Sequence, residues 1–336
     1  MNEVLKAALM LGGLGLVFGA LLALVGRLFA VPEDARKNSL RECLPGANCG
    51  GCGFAGCDAY AEAVALGNAP VDKCPVGGQE VAKKMADIMG VEAHAQEPMV
   101  ATIMCRGDLD RCRVRFDYEG PKTCRNAALT ASGDKDCRFS CLGYGDCVEI
   151  CPFGAIKVNS KRLAYVDSAL CRGCGVCAEA CPRGVIALVP RNHPVHVTCS
   201  AMDKGKTVRD HCQVGCIGCG KCARMCDFGA LTMVNNLPHI DQEKCVGCMR
   251  CADNCPTGAL MANEEMRRHA VIRYDRCDGC GSCAESCRYH AIMGEKGHPH
   301  GVIDWNCVGC GQCESNCPNN CIHMVHAEKL PRRSAG

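Results

Sequence analysis

The hydrophobic pattern of the chain changes abruptly once, near its start. The twenty residues 7–26, between Lys6 and Arg27, carry no charge and as a helix at about 1.5 Å per residue would reach roughly 30 Å, enough to cross a hydrocarbon core. A transmembrane anchor is therefore predicted within residues 1–30. Glycines at 12, 13, 15, 19 and 26 suit a membrane helix and would let a second helix approach closely. The competing readings are a secretory signal or a buried helix. Against them, the run is long for a signal, no clear A-x-A site follows, and Arg27 interrupts it. Lys6 is the one basic residue before the run, whereas Arg27, Arg36, Lys37 and Arg41 follow it. The positive-inside rule then leaves the bulk of a single-pass chain on the cytoplasmic side of the inner membrane.

Beyond the anchor the apolar runs are short. Residues 58–66 and 74–89 read as helices ending at Gly67 and Gly90, while 90–100 contains Pro98 and no clear period and reads as a linker. Residues 155–158, 163–166 and 185–188 read as small strands. The predicted class is thus α+β, built from many short elements.

Composition explains why they can be short. Cysteine supplies 35 of 336 residues, aromatics only 4%. Without cysteine the apolar fraction falls from 48% to about 38%, too little Leu, Ile, Val and Phe for one large core. A cytoplasmic location keeps thiols reduced, so metal ligation replaces the disulfide reading. A net charge of +2, from 38 basic and 36 acidic residues, gives no footprint for nucleic acid.

The cysteines repeat. Five tetrads have the spacing C-x2-C-x2-C-x3-C, with fourth members at Cys181, Cys226, Cys255, Cys287 and Cys317. A sixth, Cys137, Cys141, Cys147 and Cys151, reads as a stretched version. Proline follows at 152, 182, 256 and 318, but Asp227 and Arg288 stand at the other two positions. In bacterial two-cluster ferredoxins three thiolates of such a run hold one cubane and the fourth reaches the neighbouring cluster. Zinc sites instead present two separated C-x2-C pairs, so a third cysteine at the same spacing fits them poorly.

Crossed ligation gives six sets of four. The first module takes Cys137, Cys141, Cys147 and Cys181 for one [4Fe-4S] cluster, and Cys151, Cys171, Cys174 and Cys177 for the other. The second takes Cys216, Cys219, Cys222 and Cys255, with Cys226, Cys245, Cys248 and Cys251. The third takes Cys277, Cys280, Cys283 and Cys317, with Cys287, Cys307, Cys310 and Cys313. Upstream, Cys49, Cys52, Cys57 and Cys74 sit among glycines at 46, 50, 51, 53 and 56 and mark a seventh cluster, with structural zinc as the lesser reading. Seven cysteines remain: Cys43, Cys105, Cys112, Cys124, Cys199, Cys212 and Cys321. Four of Cys105, Cys112, Cys124, Cys199 and Cys212 could bind an eighth cluster; the plainer reading is inert buried thiols. Cys43 and Cys321 read as spare.

These segments resemble the B subunit of the Rnf complex, the membrane-bound ferredoxin:NAD oxidoreductase coupled to ion translocation. LPGANCGGCGFAGC with CPVGG, and CRFSCLGYGDCVEICPFGAI, carry the resemblance over nearly the whole chain. Shorter members have one ferredoxin pair, so this chain is similar to the longer form. The resemblance implies an electron-transfer subunit of a translocase, with reduced ferredoxin as donor and the other membrane subunits of the complex as partners. Lipid would be met through residues 7–26. The alternatives are a polyferredoxin subunit of a hydrogenase-linked membrane oxidoreductase and a zinc-binding assembly scaffold.

The expected division is an anchor (1–30), an N-terminal [4Fe-4S] domain (31–95), a cysteine-containing connection (96–136), module 1 (137–190), an insertion (191–215), module 2 (216–265) and module 3 (266–336). No flavin or nucleotide site is predicted, since neither G-x-G-x-x-G nor a Walker loop occurs, and no catalytic acid, base or nucleophile is needed. Arg172, Lys221, Arg250 and Arg276 lie near the cluster loops, where they could steer an acidic ferredoxin.

Overall fold

The computed structural model describes residues 2–28, 35–94 and 97–326. The expected boundaries at 30/31 and 95/96, and residues 327–336 assigned to the last module, lie outside the described residues. Helix α1 (Asn2–Leu28) contains the predicted run, with a mean hydropathy of 2.3 over Leu9–Arg27 and none of that window buried against the rest of the chain. It is long and apolar enough to cross a membrane. Its glycines have open space around them.

A small helical unit follows: α2 (Ala35–Cys43), α3 (Cys57–Ala65) and α4 (Gly78–Met89). Leu40, Tyr60, Val64 and Met85 are almost fully buried between these helices. The Tyr60 hydroxyl donates to the Pro70 carbonyl at 2.7 Å and accepts from the Lys73 amide at 3.0 Å, fixing the loop that ends at Cys74. Gly90, at φ +67°, ends α4 as the sequence anticipates.

The remainder contains six two-stranded antiparallel sheets in three nested pairs. In the first, β1 (Met99–Ile103) pairs with β4 (Ile186–Pro190), enclosing the hairpin of β2 (Ile156–Val158) and β3 (Ala164–Val166). In the second, β5 (Val195–Val197) pairs with β8 (Leu260–Ala262) around β6 (Leu231–Val234) and β7 (Leu237–Ile240). In the third, β9 (Arg268–Ile272) pairs with β12 (Ile322–His326) around β10 (Ile292–Met293) and β11 (Gly301–Val302).

Two of the outer strands lie where the sequence suggests only connection. Strand β1 falls in the expected linker and connecting segment, and β5 in the expected insertion, so the outer strands of the first two nested pairs start at residues 99 and 195, upstream of the expected module starts at 137 and 216. The reason is the length of chain between outer strand and first tetrad. It is 4 residues in module 3 but 18 in module 2 and, counted to Cys141, 37 in module 1.

The long insertion of module 1 carries α5 (Cys124–Leu129), whose first turn is capped by Thr123 Oγ1 accepting from the Asn126 amide at 3.2 Å. An ion pair pins the insertion to the inner hairpin. Arg162 reaches both carboxylate oxygens of Asp134, at 2.7 and 3.0 Å, stacks 4.2 Å over the Tyr144 ring, and donates to the Leu142 carbonyl at 2.8 Å. Burial alone would raise the Asp134 pKa, yet the guanidinium and the Tyr144 hydroxyl hold the carboxyl below its usual range. Asp134 is 1% exposed and Arg162 about a quarter. Arg162→Ala, which strands the buried carboxylate, is therefore expected to cost about 3 kcal/mol or more, and Asp134→Ala less. Anaerobic thermal melts of the two variants test that order.

Candidate metal centres

The repeat of the tetrads is a repeat of backbone geometry. Each first cysteine is followed by x-Gly-Cys and then, in four of the five regular tetrads, by another glycine, and these positions take positive φ, as at Gly218 and Gly220. That left-handed curl turns the chain around a central group and opens a single helical turn at the third cysteine: α6 (Asp146–Glu149), α7 (Val176–Ala180), α9 (Lys221–Arg224), α10 (Arg250–Asp253), α11 (Ser282–Ser286) and α12 (Gln312–Ser315). Helix α8 (Gly205–His211) lies apart, in the insertion of module 2. Met249 is the exception, non-glycine at φ +57° with its side chain 1% exposed in the core.

Around these turns the thiols converge. One cavity is lined by Cys49, Cys52, Cys57 and Cys74, closed by Leu44, Tyr60 and Val76. Others are lined by Cys226, Cys245, Cys248 and Cys251, and by Cys287, Cys307, Cys310 and Cys313, all walled by apolar side chains. Cys177 has Cys151, Cys171 and Cys174 as charge neighbours, and Cys216 has Cys222 and Cys255, with Cys219 beside Cys222. Cys283 neighbours Cys277 and Cys280.

Backbone amides point at the sulfurs. Donors include Gly77 to Cys74 Sγ at 3.4 Å, Ala101 to Cys171 Sγ at 3.4 Å and Ala291 to Cys287 Sγ at 3.3 Å. Burial pushes the Cys147, Cys251 and Cys313 thiols up to about 12, so the metal-free groups stay protonated and iron must displace the protons. Four thiols, apolar walls and amides aimed at sulfur suit an anionic cubane.

Module 1 departs from the spacing. Its cavity is lined by Cys124, Cys141, Cys147 and Cys181, whereas Cys137 lines a different cavity with Cys105, Cys199 and Cys212. The supposed stretched tetrad is a regular one in register. Cys141-Leu142-Gly143-Tyr144-Gly145-Asp146-Cys147 matches Cys216-Ile217-Gly218-Cys219-Gly220-Lys221-Cys222, with tyrosine at the second thiol position. Cys124, brought in by α5, lines the cavity beside Cys141, Cys147 and Cys181. The Asp146 carboxylate accepts from the amides of Cys124 and Arg125 at 2.6 and 3.0 Å and holds it there. The glycines flanking Tyr144 were the signal that could have revealed this.

Cys321 lies 3.3 Å from Cys317, sulfur to sulfur, and is 3% exposed. It occupies the fourth position after the tetrad's last cysteine, where the other repeats place buried Ala155, Val185, Ala230, Ala259 and Ala291. Its thiol also lies within hydrogen-bond reach of Cys277, so it sits among the ligands expected for one cluster of module 3. Cys43 packs at the edge of the N-terminal core, outside the four-thiol cavity. Arg250, a candidate steering charge, is engaged instead: its guanidinium binds Asp227 and stacks 4.9 Å from the Tyr289 ring.

Comparison with known proteins agrees with the geometry. Residues 44–76 match a putative Fe-S cluster family, and 4Fe-4S dicluster families match residues 270–324 and the overlapping stretches 137–185, 170–230, 215–259 and 244–291. The chain is 43% identical over 244 residues to the B subunit of the Na(+)-translocating ferredoxin:NAD(+) oxidoreductase complex of Acetobacterium woodii, covering 73% of each chain. It belongs to the Rnf B-subunit family. Two other Rnf relatives are similar over comparable lengths. The B subunit of the proton-translocating ferredoxin:NAD(+) oxidoreductase complex of Clostridium ljungdahlii is 45% identical over 72% of this chain and 86% of its own. The B subunit of the ion-translocating oxidoreductase complex of Methanosarcina acetivorans is 41% identical over 72% and 92%. If Cys321 is only a core filler, Cys321→Ala is expected to retain the full iron content and to shift stability by no more than about 1 kcal/mol. Iron analysis and a thermal melt check both.

Proposed function

We propose that the chain is the electron-transfer subunit of an ion-translocating ferredoxin:NAD oxidoreductase complex, anchored by α1 with its cluster-bearing modules on the cytoplasmic side. The observation that carries this is the recurrence of four thiols around an apolar cavity with amides aimed at sulfur, in a chain of the Rnf B-subunit family. The ligand sets are those of the crossed pattern, with Cys124 replacing Cys137 in module 1. When bound, the clusters supply one-electron redox chemistry, and the protein's residues set their spacing, hydrogen bonding and surroundings. No side chain is required as acid, base or nucleophile. Ion movement belongs to partner subunits, because a single helix without an ionisable residue between Lys6 and Arg27 offers no ion path.

Contacts between the sites support a linear path. A Cβ at Gly51 would run into the Cys174 carbonyl, so the N-terminal loop lies directly on the Cys174 loop of module 1. Between modules 2 and 3, Asp227 beside Cys226 accepts from Tyr289 at 2.7 Å and binds Arg250. Tyr289 lines the cavity of Cys287, Cys307, Cys310 and Cys313. The N-terminal site follows the anchor closely in sequence and is the natural exit toward membrane partners. Module 3 is the entry, and Trp305, 75% exposed two residues before Cys307, with Tyr274 at 65%, is a fit contact for ferredoxin.

Anaerobically prepared protein is expected to contain iron and acid-labile sulfide in equal amounts and to accept electrons from reduced ferredoxin; zinc with negligible sulfide would overturn the reading in favour of a scaffold. Constant recovery with a nickel-iron partner would favour the hydrogenase-linked alternative. Trp305→Ala should raise the KM for ferredoxin roughly tenfold while leaving the iron content unchanged. Cys124→Ala should remove one reduced-cluster EPR signal, an outcome that ligation by Cys137 in module 1 does not predict.

A further inference from the structure

Cys105, Cys137, Cys199 and Cys212 line one cavity at the junction of modules 1 and 2, together with Phe139, Ala201 and Val208. None of the four belongs to the regular tetrads. They form two equivalent pairs, one from each module. Cys105 stands two residues beyond Ile103, which pairs with Ile186, five residues after Cys181. Cys199 stands two residues beyond Val197, which pairs with Leu260, five residues after Cys255. Cys137 precedes Cys141 by four residues, as Cys212 precedes Cys216. The same two positions in successive repeats thus meet at the junction, Cys137 beside Cys199 and Cys212 beside Cys105.

The surroundings ask for an anion. Cys105 Sγ accepts from the amides of Gly107 at 3.3 Å and Cys141 at 3.4 Å; Cys199 Sγ accepts from Ala201 at 3.5 Å and Cys216 at 3.2 Å. Lys135 is completely buried beside Cys105 and Cys112, its ammonium donating to the carbonyls of Gly107 at 2.8 Å and Arg162 at 3.1 Å. Among the described residues it forms no ion pair. A buried cation held by carbonyls beside several thiols favours an anionic group close by, and a cubane with four thiolates, at roughly −2, would supply one.

We infer that Cys105, Cys137, Cys199 and Cys212 hold an eighth [4Fe-4S] cluster, shared by modules 1 and 2. The inference rests on the electron-transfer reading and deepens it. The amide of Cys141 and the amide of Cys216, each from a ligand of a flanking cluster, reach sulfurs of this site, so it joins the two modules into one conductor. Each transfer oxidises one cluster by one electron and reduces its neighbour, with no bond to a side chain made or broken. Cys112, beside Cys137 and within hydrogen-bond reach of Cys212 in the same buried cluster, is a fifth thiol at this junction that lies outside the cavity lining.

The test is iron and acid-labile sulfide on anaerobically purified full-length protein, with EPR after dithionite reduction. About 32 irons per chain are expected, against about 28 for seven clusters. Cys199→Ser with Cys212→Ser should lose about four irons and four sulfides and one reduced-cluster signal, whereas Cys112→Ala should keep the native count. About 28 irons in the native protein, or a double variant that keeps the native count, overturns the eighth site while leaving the seven-cluster reading intact. Should the double variant not fold, the native count and Cys105→Ser, read the same way, decide. Zinc without sulfide would instead sink the electron-transfer reading itself.

Discussion

Ligation of metal by thiolate is the interaction on which the rest of this fold depends. Two-stranded sheets are marginal in water, and each module has two of them with strands of two to five residues. The core clusters of the modules mix cysteines with a few small and β-branched side chains: Cys147 and Cys177 with Ala155, Ile156 and Val185, or Cys283 and Cys313 with Ala270 and Ile322. Such a core buries too little surface to order the chain alone, so metal binding and folding are one equilibrium. The helical N-terminal unit differs in degree, since Leu40, Tyr60, Val64 and Met85 give it a packed centre beside its thiols.

The same constraint explains how the modules are joined. A chain of centres conducts only if neighbouring centres approach, and here the joints are made by residues adjacent to ligands. Gly51 lies next to Cys52 and meets Cys174; Asp227 follows Cys226 and meets Tyr289, two residues after Cys287; Arg106 follows Cys105 and donates to the Gly258 carbonyl at 2.6 Å. Arg138, next to Cys137, pairs with Asp203 at 3.0 Å across the same junction as Arg106. Polar side chains gather at these seams, and Arg106 and Arg250 line cavities there as well. The near-neutral charge of +2 also changes meaning, because eight clusters at roughly −2 each would bring the loaded chain to roughly −14.

Much of this was legible in the sequence because local spacing and local geometry coincide. The inner strands of module 1 and the helices closing at Gly67 and Gly90 depend on residues close to the cysteine motifs. What was not legible depends on distant pairing. Strand β1 has only five residues in a polar context and acquires its meaning from β4, more than eighty residues later. Cys124 reaches its site through α5 and the Asp146 carboxylate, neither of which spacing encodes. Counting intervals between cysteines made Cys137 a ligand of module 1, whereas the register of glycines at 143 and 145 places Tyr144 at the missing position. The glycine pattern reports backbone curl directly, so it is the firmer guide where the two disagree.

The departures from the repeat can then be sorted by whether another residue answers them. Tyr144 in place of a thiol is answered by Cys124, and its hydroxyl and ring serve the Asp134–Arg162 pair. Asp227 in place of proline is answered by Tyr289 and Arg250. Cys137 and Cys212 are additional to the tetrads, and across the junction Cys137 lies beside Cys199 and Cys212 beside Cys105. Cys321 in place of alanine fills a small buried slot with its sulfur beside those of Cys317 and Cys277. In a chain assembled from copies of one unit, an answered departure marks a place where the copy has acquired a partner, and those places here all lie at a site or at a seam between sites.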